Sequence, residues 1–205
     1  MPAVRRRAAF LALAFLAATS GACSAKGSRP PPASPEPPPA PIAWDVTVGE
    51  VHAVRPPAPG LPDDVRAKVT ATLERYLADA VVGPLRSGQP AADLGPVFTA
   101  AALARLNGPD RAALVDEGLP RAARLRSEAA TARLGALAGA DQAVTVVTAA
   151  VTLRLHTGGA ESVAIVRTGD LVLVPDGDAW KVDGYDIRTA RDSADGGGTT
   201  TTARG

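Results

Sequence analysis

Two histidines, one cysteine and a crowd of aspartates are the residues of this chain whose types could do chemistry. A general base working near neutral pH would most simply be an imidazole, and the imidazoles are His52 and His156. His156 shares its strand phase with Arg154 and Thr152, on the polar side, and His52 borders the proline-rich RPPAPGLP; both read as surface residues. Asp170, Asp176, Asp178, Asp183 and Asp186 fall at turn and polar-face positions, without the spacing of a calcium loop. No H-x-x-x-H or C-x-x-C pair offers metal ligands, so no metal and no cofactor is expected. Gly196-Gly197-Gly198 lacks the lysine and helix of a phosphate loop, and no G-x-S-x-G elbow occurs. No residue is therefore assigned a catalytic role. Three large aromatics remain: Tyr76, Phe98 and Trp180. They are candidates to line a pocket; the alternative is that they fill a core otherwise built from Ala, Val and Leu.

The lone cysteine, Cys23, stands between an apolar run and a proline tract. Arg5, Arg6 and Arg7 form a positive start, followed by the apolar AAFLALAFLAA and then small residues, the layout of an export signal over residues 1–22. Eleven apolar residues are too few to span a bilayer, which takes about 20. Ser20-Gly21-Ala22-Cys23 resembles the bacterial lipobox, with Ser20 where that motif usually has Leu. Cleavage before Cys23 would leave it as a lipid-bearing N-terminus. The alternative, an ordinary small-x-small site at Ser20-x-Ala22, leaves a free thiol in a secreted protein. Lipidation is favoured, because a single cysteine cannot close an intramolecular disulfide and a bare thiol is a hazard in an oxidising compartment. The tract that follows argues the same way: eight of the twelve residues 30–41 are proline. Such composition favours an extended spacer of on the order of 50 Å, useful to something that is tethered. The expected location is the extracytoplasmic face of the membrane, through a lipid on Cys23. Without residues 1–22 the chain carries 19 basic and 21 acidic residues, so it has no electrostatic basis for holding nucleic acid.

The rest of the chain must position whatever chemistry there is. Residues 42–51 alternate as a strand, with Ile42, Trp44, Val46 and Val48 on one face. A helix follows, capped by Asp63, with Val65, Val69, Leu73, Tyr76, Leu77, Ala80 and Val81 on one stripe, and Gly83-Pro84 as its stop. A second helix covers 97–106, with Asp93 as a possible earlier cap, and a third starts at Pro109 and ends before Gly118. Strands are expected at about 127–137, 143–156, 162–174 and 179–188. In the second of these, odd residues from Thr145 to Leu155 face the core. Asp176-Gly177 forms a tight hairpin. Apparent phase changes at Gly169 and Gly184 predict two β-bulges. The Gly/Thr-rich tail, 191–205, is expected to be disordered.

Helices first and then a meander of long strands predict an α+β fold: two or three helices packed on a curved, cone-like antiparallel sheet over residues 42–190. This layout resembles the nuclear-transport-factor-2-like (SnoaL-like) domains, and among them the Mce-associated envelope proteins of actinobacteria. The resemblance is carried by VRAKVTATLERYLADAV, by Phe98 with the following Ala-Ala-Leu, and by GDAWKVDGYDI. It implies a cone that, in different members, houses an isomerase, a dehydratase, a ligand carrier or an interaction surface. Two functions are carried forward. One is a tethered, non-catalytic domain that binds an envelope protein or an apolar ligand. The other is a small-molecule isomerase or hydrolase that uses the cone.

Overall fold

Alternation of small apolar and polar residues sets the longest elements. The computed structural model describes residues 41–205 apart from 57, 59, 92, 160, 194 and 195. Its strands are β1 (Asp45–Ala53), β2 (Arg124–Ala138), β3 (Val144–Gly158), β4 (Val163–Asp176), β5 (Ala179–Ser193) and β6 (Gly198–Arg204). They form one sheet in the order β1-β2-β3-β4-β5-β6, with β1 parallel to β2 and every other pair antiparallel. The fold is α+β, and the six-stranded mixed sheet is open. In β3, Val147, Ala149, Val151, Leu153 and Leu155 are buried, whereas Thr148, Ala150 and Arg154 are exposed. Ala132, Leu134 and Ala136 of β2 and Ile165, Leu171 and Leu173 of β4 continue the buried face.

A parallel β1–β2 pair needs a long crossover, and the helices supply it. They are α1 (Asp63–Tyr76), a π-helical turn (Leu77–Val82), α2 (Gly83–Ser87), α3 (Ala100–Arg105) and α4 (Gly108–Leu114). Their apolar stripe, including Val69, Leu73, Tyr76, Leu77, Ala80 and Val81, joins the buried sheet face in a single core. The expected stop at Gly83-Pro84 is not one. The helix widens into the π turn and runs on to Ser87, where Gly88 at φ 69° ends it. Proline has no N–H to give and crowds the carbonyl four residues back, and the wider turn accommodates it. Gly83 donates instead to the Ala78 carbonyl, and a Cβ on Gly83 would lie 2.8 Å from that oxygen. Asp63 is not the cap either: Pro62 holds that position without a side-chain bond, and Asp63 and Asp64 sit in the first turn, at the positive end of the dipole.

The second helix begins later than its apolar pattern implies. Val97 ends a turn, its N–H donating to the Leu94 carbonyl, and Phe98 forms a β-bridge to Val182: the Val97 carbonyl accepts from Val182 N–H and Thr99 N–H donates to the Val182 carbonyl, both at 2.9 Å. Thr99 then caps α3, its hydroxyl accepting from Ala102 N–H at 3.1 Å. Asp93, expected as a cap, closes a local turn onto Gly95 N–H at 2.8 Å.

Of the two bulges expected, one is present. Val172 pairs with Gly184 and Leu173 with Val182, so Asp183 is the extra residue. At Gly169 there is no slip: β3 and β4 pair in unbroken register from Val147↔Leu173 to His156↔Ala164. The inward phase runs Ile165, Arg167, Gly169, Leu171, because Arg167 is turned into the core. Gly169 has another reason to be glycine: at φ 140°, a Cβ there would lie 2.0 Å from the Asp186 carbonyl oxygen of β5.

The tail expected to be disordered contains a strand. β5 continues to Ser193, and β6 pairs with it from Asp186↔Arg204 to Asp192↔Gly198. Thr199–Thr202 are β-branched and suit a pleated surface. Ala203 is fully buried, and α4 packs against β6.

Candidate functional site

The three aromatics singled out in the sequence come to the helix-covered face of the sheet, but they line no opening. Tyr76 and Phe98 are fully buried and Trp180 is 5% exposed. The Tyr76 and Phe98 rings meet edge to face, with centroids 6.2 Å apart and planes at 84°. The Trp180 carbonyl accepts from the Thr72 hydroxyl at 2.6 Å, binding β5 to α1. Of the two readings of these rings, core packing is the one that their burial supports. A core rich in Ala and Val leaves gaps that a few large rings must fill.

His156 lies on the uncovered face, its Nε2 3.1 Å from Glu128, with both side chains about half exposed. His52 faces Glu50 at 3.4 Å and is exposed. The aspartates crowded in sequence disperse in space. Asp176 pairs with Lys181, Asp186 pairs with Arg204, and Asp183 accepts from the Thr99 hydroxyl. Cys23, residues 1–22 and the proline tract of the tether lie outside the described residues.

What the sequence reading missed is a buried polar cluster built around Arg167. This side chain projects from β4 into the core, fully buried. Its Nη2 donates to Asp116 Oδ2 at 3.0 Å, and its Nε donates to the Ala113 carbonyl and the Thr189 hydroxyl, each at 3.0 Å. Arg191 of β5 takes the other oxygen, Nη2 to Asp116 Oδ1 at 2.6 Å. Asp116, just past α4, is itself anchored through its N–H to the Ala80 carbonyl of the π turn at 2.9 Å. Tyr76 donates its hydroxyl to the Leu114 carbonyl at 2.9 Å.

These contacts converge on one end of one helix. The last carbonyls of a helix have no partner within it and form its negative pole. Here the Ala112 carbonyl accepts from Arg191, that of Ala113 from Arg167 and Thr189, and that of Leu114 from Tyr76. The cluster is therefore a cationic clamp on the C-terminus of α4. Burial pushes the Tyr76 phenol up from 10.0, opposed by the Arg167 guanidinium, so the hydroxyl stays neutral and a donor. For Arg167, burial works against the charge, but Asp116 and Tyr76 outweigh it and hold the guanidinium above its ordinary value. Both carboxylate oxygens of Asp116 are taken, one by each guanidinium group. A second hydroxyl–carboxylate pair, Tyr185 Oη to Asp110 Oδ2 at 3.0 Å, joins β5 to α4.

One signal could have exposed the cluster: an arginine in phase with an otherwise unbroken apolar alternation, V-x-I-x-R-x-G-x-L-x-L from Val163, is an inward arginine and requires a buried acid.

The uncovered face carries two grooves. One, of about 570 Å³, is lined by Asp45, Thr47, Arg133, Asp170 and the cross-strand row Thr131, Thr152 and Thr168. The other, of about 460 Å³ and more apolar, includes His52, Leu137, Val146 and Thr148. Val48 and Leu137 are 42% and 46% exposed at the β1–β2 side. Comparison with protein families, with curated proteins and with solved structures finds no match for this chain.

Proposed function

We propose that this is an exported, lipid-anchored protein of the cell envelope whose folded part is a non-catalytic binding or interaction domain. It would have a cone-like fold similar to the Mce-associated members of the nuclear-transport-factor-2-like group. The observation that carries the interaction reading is the occupation of the helix-covered face. Tyr76, Phe98 and Trp180 fill it, and the polar groups there are spent on holding α4. The grooves, by contrast, open on the uncovered sheet face. Anchoring rests on the sequence: the arginine-led apolar run, Ala22-Cys23 and the proline tract.

The alternative, a small-molecule isomerase or hydrolase, has one observation on its side, the Tyr185–Asp110 pair. Intact-mass measurement and membrane fractionation of the full-length chain, beside a Cys23→Ala variant, test the anchor. A mature N-terminus other than Cys23, or membrane retention unchanged by the substitution, would sink it. Native mass spectrometry of the purified chain tests the domain. A co-purifying protein or apolar ligand, retained when Tyr185→Phe is introduced, supports the binding reading, whereas a bound polar metabolite lost in Tyr185→Phe supports the enzyme.

A further inference from the structure

Four charged side chains on the uncovered face of the sheet are left without an opposite charge. Asp45, Arg133 and Asp170 line the larger groove there, and Arg188 stands beside it, since residues paired across strands share a face and Arg188 pairs with Thr168. All four are exposed. None of them enters an ion pair among the described residues, whereas Glu128 with His156 and Asp186 with Arg204 do. The register fixes where the four lie. One row across the strands, from β1 to β5, reads Asp45, Thr131, Thr152, Thr168, Arg188. The next reads Thr47, Arg133, Ala150, Asp170, Asp186. Both rows are centred on β3. Asp45 and Arg188 lie two strands from it on opposite sides, and Arg133 and Asp170 lie one strand from it on opposite sides. A face whose charges change sign about a line is complementary to itself turned over about that line.

We propose that this face seats a second copy of the chain, packed face to face about a two-fold axis that runs along β3. Turning one copy over that axis sets Arg188 against the partner's Asp45 and Arg133 against the partner's Asp170. An isologous contact makes each pair twice, so the two rows supply four ion pairs. Thr152 and Ala150 lie on the axis, and their short side chains let the sheets reach the usual face-to-face separation of about 10 Å, a gap that an arginine and an aspartate bridge from opposite sides. Arg154, next along β3, is exposed and would face its own counterpart. Facing sheets cross at about 30°, which draws the rows apart away from the centre and leaves Arg154 in the solvated rim. From β1 to β5 the face is about 19 Å wide, at about 4.8 Å per strand. Such a contact is small, so a reversible dimer of micromolar or weaker affinity is expected and not an obligate one. Any other partner would have to carry this same alternation of charge; a second copy carries it by construction. The inference rests neither on the envelope reading nor on the Cys23 anchor.

Sedimentation equilibrium of the full-length chain at low and high salt reads the oligomeric state. A monomer–dimer equilibrium that moves toward monomer as salt screens the pairs is expected. Charge reversal gives the sharper test. Arg188→Asp and Asp45→Arg each turn two ion pairs of the dimer into like charges. Each should weaken it on the order of a hundredfold, about tenfold at each of the two sites. Mixed in equal amounts, the two variants again oppose unlike charges at both sites. The dimer should then return as a heterodimer, which native mass spectrometry separates from either homodimer by mass. Arg75→Asp, the same change at an exposed position on α1, controls for net charge and should leave the dimer unaltered. A chain that stays monomeric up to about 1 mM overturns the proposal, whatever other protein or ligand then proves to occupy the face. So does a dimer that neither reversal weakens, or a pair of monomeric variants that do not recombine. Should either variant fail to fold, Arg133→Asp and Asp170→Arg take their place, with the same outcomes deciding.

Discussion

Arg167 and Asp116 meet at 3.0 Å with neither side chain touching solvent, which makes them a buried ion pair that neither partner can leave cheaply. Removing one member of such a pair strands the other charge and costs about 3–5 kcal/mol, whereas losing both costs far less than the sum. Asp116→Ala is therefore expected to lower stability by about 3–5 kcal/mol, and Arg167→Met comparably. The double variant should recover much of the loss, though Arg191 then lacks its acid. Urea unfolding at unchanged m-value measures all three. Strict additivity would show that the two residues act separately.

Tyr76 stabilises the same helix end by a different bond. Tyr76→Phe leaves the ring and its edge-to-face contact with Phe98 but orphans the Leu114 carbonyl, a loss of about 1–3 kcal/mol. The phenol also makes a pH prediction. Its pKa is raised in the fold, chiefly by burial, above the ordinary 10.0. The folded state thus holds the proton more tightly than the unfolded chain does. That contribution is fully present below pH 10 and is lost as pH rises through the folded value. The unaltered chain should accordingly lose stability faster than Tyr76→Phe above about pH 10. Parallel alkaline profiles for the two would rule this out.

How much of this was legible in the sequence depended on whether local pattern and tertiary demand agreed. The inward face of β3 from Val147 to Leu155 (Thr145, expected with it, is exposed), the hairpin at Asp176-Gly177 and the bulge at Gly184 follow from alternation and turn chemistry alone, and the structure has them. The failures share one cause: a residue was judged by its type rather than by its position. The apolar pattern appears to change phase at Gly169 because it skips the charged Arg167, which in fact keeps the inward phase, so the bulge expected there is absent. Gly83-Pro84 reads as a stop because proline usually ends a helix, but a π turn absorbs it. The Gly/Thr-rich composition around Thr199–Thr202 predicts disorder, but the open edge of β5 gives a threonine run a partner. For the candidate site, the large aromatics are legible as the residues that fill a core otherwise made of small side chains. The cluster was missed because its charged members are far apart in sequence and are joined only when α4 docks on β4 and β5.

The two faces of the sheet should respond oppositely to truncation. Trp180 is 5% exposed and lies in the core, so Trp180→Ala should cost about 3–5 kcal/mol through the cavity it leaves. His156 sits on the uncovered face in a half-exposed pair with Glu128, and His156→Ala should stay within about 0.5 kcal/mol, as surface substitutions do. Thermal and urea unfolding of both variants check the order, and a reversal would mean that the strand faces are assigned wrongly.

The last strand offers the clearest test of the order found in the C-terminal segment. β6 satisfies the β5 edge from Asp186 to Asp192, buries Ala203 completely and receives α4. The Arg204–Asp186 pair adds little, since Arg204 is 78% and Asp186 50% exposed. The stabilisation must come from the main-chain ladder and the buried alanine, each bond of the ladder contributing about 0.5–1.5 kcal/mol net. Deleting residues 194–205 should expose that edge, loosen the seat of α4 and with it the carbonyls that Arg167, Arg191 and Tyr76 hold. A loss of at least about 2 kcal/mol is expected, which for a domain of this length lowers the unfolding midpoint by roughly 4–8 °C. Hydrogen exchange should show the amides of β5 from Asp186 to Asp192 losing protection first. A truncated chain with an unchanged midpoint and unchanged protection would mean that β6 contributes nothing to the fold.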